Sequence, residues 1–338
     1  MAAKVDTKSQ SRLTKLPPKA VERFTAELAR IAPPGQKIGL GVSGGPDSLA
    51  LLLLAAAARP GEIEVATVDH GLRAGSADEA KSVAKLCGEL GIEHRTLPIA
   101  WDKKPQTRIQ ELARVRRYGA LAEWARERGI KMLATAHHAD DQAETMIMRL
   151  RRGAGLNGLA GMRHAVRVPG GEEALIRPLL GWRHATLEKI CDVAGVKPVR
   201  DPSNEDEKFE RVRIRKALGD AASWLGSRAI SASASHLADA DAALTWAANR
   251  EWFKVAKVED DKIELAVKEL PRELRRRLLS RAINMLATEG RSVPIRGRQS
   301  DRLMFALSQG KTVTLKGVLC AGGKGWTFTK APARKVKA

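Results

Sequence analysis

Between residues 37 and 150 short apolar runs alternate with longer helical ones, and this alternation constrains the fold more than any other feature. K-I-G-L-G-V (37–42), I-E-V-A-T-V-D (63–69), I-E-H-R-T-L-P-I (92–99) and K-M-L-A-T-A-H (131–137) read as strands. Asp47 or Ser48 opens a long apolar helix; Ser76–Leu90, with Ser76 as N-cap, Arg108–Glu127 and Ala139–Leu150 read as further helices. Strands separated by helices of ten to twenty residues imply βαβ units and a parallel sheet. Ahead of them, Val21, Phe24, Leu28 and Ile31 share one face of a helix over Pro17–Ala32.

The alternation fades after residue 180. Thr186–Ala194 is a further helix, and V-K-P-V-R-D-P-S-N-E-D-E-K is a polar, proline-broken loop. From Phe209 to Leu286 the pattern is mostly helical, and K-T-V-T-L-K-G-V-L-C and W-T-F-T are short strands near the end. The fold class is therefore α/β, a doubly wound parallel sheet followed by a smaller, mostly helical C-terminal domain. The expected divisions are a disordered basic tail over 1–16, a first domain over 17–220, a helical and small β domain over 221–330, and a basic tail over 331–338.

Charge and cysteine usage exclude several functions. The net charge is +20, from 59 Lys+Arg and 39 Asp+Glu. Residues 271–338 hold 16 basic and 3 acidic side chains, whereas residues 221–270 are net −2. A polyanionic partner explains that asymmetry, and a solvated basic surface with a flexible tail is the other reading. The three cysteines, Cys87, Cys191 and Cys320, are far apart and form no C-x-x-C, which argues against a zinc ribbon or a cysteine-held cluster. No run of eighteen apolar residues occurs and the N-terminus has no apolar signal region, so the chain is read as cytoplasmic, with no membrane partner.

The sharpest local signal is Ser43-Gly44-Gly45-Pro46-Asp47-Ser48, between a strand and a helix. There, unpaired backbone amides meet the positive end of the helix dipole, and glycine lets phosphate oxygens approach. A plain tight turn is one reading. A dinucleotide fingerprint, Gly39-Leu40-Gly41-Val42-Ser43-Gly44, is another, but it would take Gly39 and Gly41 out of the strand. A nucleoside triphosphate loop is the third; it is not a Walker A loop, since no Lys-Ser/Thr follows the glycines. Asp47 either holds Mg²⁺ or caps the helix.

In a doubly wound sheet, ligands lie beyond the carboxyl ends of the strands. Val68-Asp69-His70-Gly71-Leu72-Arg73 and Thr135-Ala136-His137-His138-Ala139-Asp140-Asp141-Gln142-Ala143-Glu144 both follow strands, so both should face the loop's crevice. His137, Asp141 and Glu144, spaced i, i+4, i+7, share a helix stripe that can bind Mg²⁺, exchange protons or clamp an ammonium. A solvated helix N-terminus is the alternative, and it suits Asp140 better. Arg114 can offset charge on a transferring phosphate, while Arg116 and Arg117 read as a solvated face. R-R-G-A-G-L-N-G-L-A-G-M (151–162) is either a mobile gate or a helix exit.

The loop resembles the S-G-G-x-D-S pyrophosphate (PP) loop of N-type ATP pyrophosphatases. Taken in order, S-G-G-P-D-S, V-D-H-G-L-R, A-R-V-R-R-Y, T-A-H-H-A-D-D-Q-A-E-T, R-R-G-A-G-L-N-G-L-A-G-M, D-P-S-N-E-D and F-E-R-V-R-I-R resemble the tRNA(Ile)-lysidine synthetase family over residues 35–216. The resemblance implies an adenine nucleotide alpha hydrolase-like fold over 17–220 and a tRNA-binding domain over 221–330. It implies a ligase that adenylates the wobble cytidine of a tRNA(Ile) with anticodon CAU, then joins free L-lysine to carbon-2, releasing AMP and pyrophosphate. ATP and Mg²⁺ are the implied cofactors, and a homodimer is allowed.

Carried onto this sequence, the resemblance makes Asp47, Arg114, His137, Asp141 and Glu144 catalytic. Ser43, Gly44, Gly45, Pro46, Asp47, Ser48, Val68, Asp69, His70 and Arg73 would bind ATP, with Asp47 also placing the metal. Asp141 and Glu144 would bind lysine. Arg151, Arg152, Asn204, Arg211, Arg213 and Arg215 would face tRNA. The family often has tyrosine where Phe209 stands and asparagine where Val212 stands. A 2-thiolation enzyme of the same ATPase class is the nearest rival, and the absence of paired C-x-x-C cysteines counts against it. A non-catalytic RNA-binding protein and a nicotinamide enzyme are the others.

Overall fold

The computed structural model describes residues 12–71, 75–101, 108–199, 206–287, 295 and 297–332. Contacts divide it into two compact units, Met1–Arg152 with Gly161–Ser235, and Gly153–Ala160 with His236–Ala338. The expected boundary lay near residue 220. The contact division falls after Ser235, within the uninterrupted helix Ser227–Val255.

The first unit carries β1 (Ile38–Gly41), β2 (Ile63–Asp69), β3 (His94–Pro98), β4 (Met132–Ala134), β5 (Ala165–Arg167) and β6 (Ala174–Ile176). They form one sheet in the order β3-β2-β1-β4-β6-β5. Every pairing is parallel except β5 with β6, an antiparallel edge. The order runs outward from β1 in both directions, so the crevice beyond the β1 and β4 ends is the switch point where such sheets bind ligands.

Its helices are α1 (Pro18–Ala29), α2 (Pro46–Ala58), α3 (Ser76–Leu90), α4 (Ile109–Glu127), α5 (Ala139–Leu150), α7 (His184–Val193) and α8 (Glu210–Asp220). The two faces of the sheet pack separately. Leu40 and Val65 join the core beneath α1, α2, α3 and α7, while Ala66 and Leu133 join a second core beneath α4. Neighbours on β2 thus point to opposite faces, as strand pleating requires. α2 is apolar all round, with Leu51–Leu54 fully buried, because α1 and α7 cover the sides the sheet does not. Gly39 sits in β1 because a side chain there would meet the Trp124 ring at 2.7 Å. That disposes of the dinucleotide fingerprint, which needed Gly39 and Gly41 in a turn.

Ser76 does not cap α3. It occupies the first helical position behind Gly75, and its hydroxyl donates to Asp69 Oδ1 at 2.6 Å. α7 starts two residues earlier than expected, at His184.

The second unit holds α6 (Leu156–Leu159), α9 (Ser227–Val255, from residue 236 on), α10 (Arg272–Leu286) and α11 (Gly297–Ser308). Its sheet comprises β7 (Ala256–Glu259), β8 (Lys262–Leu265), β9 (Thr312–Leu315), β10 (Val318–Ala321) and β11 (Trp326–Lys330), in the order β7-β8-β11-β10-β9, all antiparallel. The β7–β8 hairpin lies in a stretch expected to be helical. Ile263 and Leu265 alternate inward to the core with Phe328 and Leu279, and the Asp260-Asp261 turn closes the hairpin. Of the 151–162 segment, Gly153–Ala160 belongs to this second unit: Asn157 Nδ2 donates to Asp241 Oδ2 at 2.9 Å, and Asp241 in turn pairs with Arg277.

Candidate active site

The S-G-G-P-D-S turn links the end of β1 to α2. Gly44 adopts φ +87°, a conformation that favours glycine, and its carbonyl accepts from Val199 N at 3.0 Å. Gly45 is the N-cap and Pro46 the first helical residue, where a missing N–H costs nothing. Leu49 N is the first amide bonded back, to Gly45 O. The amides of Asp47 and Ser48 therefore have no helical carbonyl to bind and stand at the positive helix end. Ser48 Oγ donates to Gly45 O at 2.9 Å, accepts from Ser43 N at 3.1 Å and lies 3.2 Å from Ser43 Oγ. The loop is thus held in a concave shape by its own hydroxyls.

Asp47 is not a lone carboxylate. His184 Nδ1 lies 2.7 Å from its Oδ1, and His138 Nε2 3.5 Å from its Oδ2. The rings of His138 and His184 are 5.5 Å apart. His138 is 5% exposed and is the N-cap of α5: its Nδ1 lies 3.2 Å from Asp140 N and 3.5 Å from Asp140 Oδ2, and its own N–H donates to Asp141 Oδ2. Asp140 accepts the His184 amide at 2.8 Å and so ties α7 to α5.

Charge follows from this packing. Burial would raise the Asp47 carboxyl, but hydrogen bonds from His138 and His184 outweigh it and hold the group well below the usual range. Burial would lower His138, yet Asp140, Asp47 and the Asp141 charge push it up to about 10. Asp47, His138 and His184 offer ligand atoms within 4.8 Å of one another, a set that can hold a cation. Two imidazoles with one carboxylate suit a transition metal better than magnesium, which prefers oxygen. Magnesium would therefore rely on the Asp47 carboxylate together with oxygens of the bound phosphates.

His137 follows the end of β4. His137 Nδ1 is 2.9 Å from Thr135 Oγ1. Burial lowers its pKa to about 3, against the Asp141 charge and with Arg177, Arg114 and Arg117 adding to the fall. His137 is therefore a neutral hydrogen-bonding group. Arg114 stacks over Tyr118 at 5.0 Å. Arg117 also lies over Tyr118, at 5.2 Å, and its Nε is buried, so the expected solvated face does not describe it. Arg116 stays exposed beside Trp101. Val68 and Asp69 end β2; Asp69 accepts from Gly71 N at 2.9 Å and shapes the turn that carries His70. Arg73, Asn204 and the rest of Asp201–Asn204 lie outside the described residues.

The stripe His137, Asp141, Glu144 is split by its surroundings. Asp141 lies in the first turn of α5, beside His138. Glu144 is 1% exposed, with Arg215 Nε at 2.6 Å and Arg211 Nε at 2.8 Å, the latter off hydrogen-bonding angle. The carboxylate expected to meet lysine and two arginines expected to meet tRNA thus meet each other. Arg151 and Arg152 likewise pair with Glu210, and Arg213 Nη1 donates to the Glu207 and Lys208 carbonyls. Sequence reasoning missed His184, and it quoted His138 without giving it a role. Two adjacent histidines at a strand end, and a histidine opening the helix after P-L-L-G-W-R, were the available signals.

A phosphate loop at the amino end of α2, on a sheet of this order, defines the class of PP-loop nucleotide-using proteins, and the PP-loop domain family matches residues 16–222. The chain is 49% identical over 318 residues to the tRNA(Ile)-lysidine synthase of Novosphingobium aromaticivorans, covering 94% of this chain and 95% of that one. It is 40% identical over 306 residues to the enzyme of the same name from Zymomonas mobilis, covering 90% and 91%. The chain belongs to the tRNA(Ile)-lysidine synthase family, and it is an enzyme of the ligase class. A U34-tRNA thiolase from Methanococcus maripaludis shares the fold, with a TM-score of 0.54 at 18% identity over 65% of this chain and 80% of that one. No helix among the described residues is long and apolar enough to cross a membrane.

Proposed function

We propose that this ligase uses ATP to join free L-lysine to carbon-2 of the wobble cytidine of tRNA(Ile) bearing a CAU anticodon, acting in the cytoplasm. In the first step the base's O2 attacks the α-phosphorus and pyrophosphate leaves. In the second the ε-amine attacks carbon-2, AMP departs with O2, and the amine loses a proton. The observation that carries this reading is the free-amide phosphate turn that holds Asp47, together with His137 after β4, Asp141 in the first turn of α5 and Arg114 on α4.

The Ser43–Ser48 turn holds the leaving pyrophosphate, its amides and hydroxyls replacing water as donors. Mg²⁺, held through Asp47, would supply charge neutralisation on the phosphates. His138 and His184 hold the two oxygens of Asp47, which keeps that carboxylate ionised. The Val68–His70 turn borders the adenosine. Neutral His137 donates or accepts a hydrogen bond at the reacting phosphate, and Arg114 offsets its charge. Asp141 receives the lysine ammonium, and its own charge stays bounded by the protonated His138. Glu144 positions Arg211 and Arg215 on α8.

The thiolation reading needs a reactive thiol. Cys87, Cys191 and Cys320 are all buried, and burial pushes each up to about 12, so each stays a protonated thiol. The direct test mixes the protein with ATP, Mg²⁺, labelled lysine and a tRNA(Ile) transcript with a CAU anticodon. Label on the tRNA with one AMP released per lysine is the expected result. AMP release without lysine transfer would refute the assigned acceptor.

A further inference from the structure

Half of the buried polar side-chain atoms that lack a hydrogen-bond partner among the described residues fall in one place. They are His70 Nδ1, Arg117 Nε, Tyr118 Oη and Arg177 Nε. His70 follows β2, Arg177 follows β6, and Arg117 and Tyr118 lie on α4. All four thus line the carboxyl end of the sheet on the α4 face. The phosphate turn opens α2, which packs on the opposite face.

Arg177 is 5% exposed. One of its nitrogens, Nη1, donates to Arg163 O at 2.7 Å, which fixes the guanidinium while Nε stays unmatched. Arg117 stacks on Tyr118, with Arg114 over the same ring. The Arg117 charge bears on His70, and the Arg177, Arg114 and Arg117 charges bear on His137. Burial depresses the protonation of Arg117 and Arg177 most, the neighbouring Arg114 adds to the fall, and Tyr118 opposes it from beside both guanidiniums; among the described residues no carboxylate acts on either. Buried guanidiniums without counter-charge are costly, and proteins retain such groups where a ligand supplies the missing charge. The fork geometry of arginine matches planar or tetrahedral oxyanions.

We propose that Arg117 and Arg177, with Tyr118 Oη and His70, form a second anion site, distinct from the phosphate turn, that binds an oxyanion of a substrate. The inference rests on the ligase reading for its two candidate sources. One is the α-carboxylate of free lysine, whose ammonium end is assigned to Asp141. The other is the α-phosphate of the nucleotide after pyrophosphate has parted from it. Both present two or more oxygens to one guanidinium pair, and the pyrophosphate turn serves neither.

The experiment compares wild type, Arg177→Gln, Arg177→Lys and Arg117→Gln. Acceptors are L-lysine and 1,5-diaminopentane, which keeps the attacking amine and lacks the carboxylate. AMP and pyrophosphate binding are measured by calorimetry. Wild type must first show lysine-dependent AMP release on the transcript; if it does not, the ligase reading fails independently of this site. If the oxyanion is the carboxylate, Arg177→Gln raises KM for lysine about tenfold or more while diaminopentane is unaffected. If it is the α-phosphate, AMP binding weakens by a similar factor while pyrophosphate binding holds. Arg177→Lys keeps the charge without the fork and recovers part of the loss. Should the glutamine variants not fold, wild type alone decides: inorganic sulfate must compete with lysine or with AMP, and sulfate that competes with neither overturns the proposal. Folded variants that bind lysine, AMP and pyrophosphate as wild type does overturn it equally.

Discussion

Replacing Glu144 by Gln tests whether this carboxylate is a strut or a substrate ligand. The side chain is 1% exposed and meets the guanidiniums of Arg211 and Arg215. Removing one partner of a fully buried pair costs about 3–5 kcal/mol. Here the arginine side chains keep 40% and 50% of their exposure and can rehydrate, so the expected cost falls to about 1–3 kcal/mol. For a unit of this size that corresponds to a drop in Tm of about 3–9 °C. Thermal unfolding followed by circular dichroism reads it directly. A double-mutant cycle with Arg215→Gln should show a coupling of about 1 kcal/mol, because the two groups lie 2.6 Å apart. An unchanged Tm, additive effects and a raised KM for lysine alone would show that Glu144 is a lysine ligand and would refute the strut.

Three further outcomes follow from the same geometry. Asp141→Asn should raise KM for lysine by about tenfold while leaving ATP binding within about twofold, a split that steady-state kinetics separates. In the ligand-free protein His138 contributes stability that is full below its unfolded pKa and is lost as pH rises from there through its folded pKa of about 10; Asp47→Asn should flatten the alkaline limb of the Tm–pH curve, and an identical limb would count against the pair. On the second unit, Trp246 and Phe253 are 62% and 81% exposed and Arg250 stacks on Trp246 at 4.9 Å, so Arg250→Ala should weaken tRNA binding and reduce its salt slope by about one.

The parallel sheet was legible because its strands are apolar runs bounded by helices, and α5 was located to the residue at Ala139–Leu150. The phosphate turn was legible because glycine, serine and proline there each meet a distinct backbone need. What escaped were relations across the chain. Asp47 and His184 are separated by 137 residues and meet only once α7 packs on α2. Arg117 looked like one of several surface arginines, because α4 has no clear apolar periodicity to mark its inner face. The β7–β8 hairpin was read as helix because its strands are four residues each, too short to outweigh the helical patterns on both sides. Residues 271–338 drew notice for charge, yet Leu278, Leu279, Val318 and Phe328 in that segment are core of the second unit. Its basic groups are therefore better probed singly than by deletion.

The account depends most on where the triphosphate lies. A crystal structure with a non-hydrolysable ATP analogue and Mg²⁺ should show the β- and γ-phosphate oxygens on the amides of Asp47 and Ser48 and the hydroxyl of Ser43. A triphosphate bound away from that turn, or no binding at millimolar analogue, would contradict it.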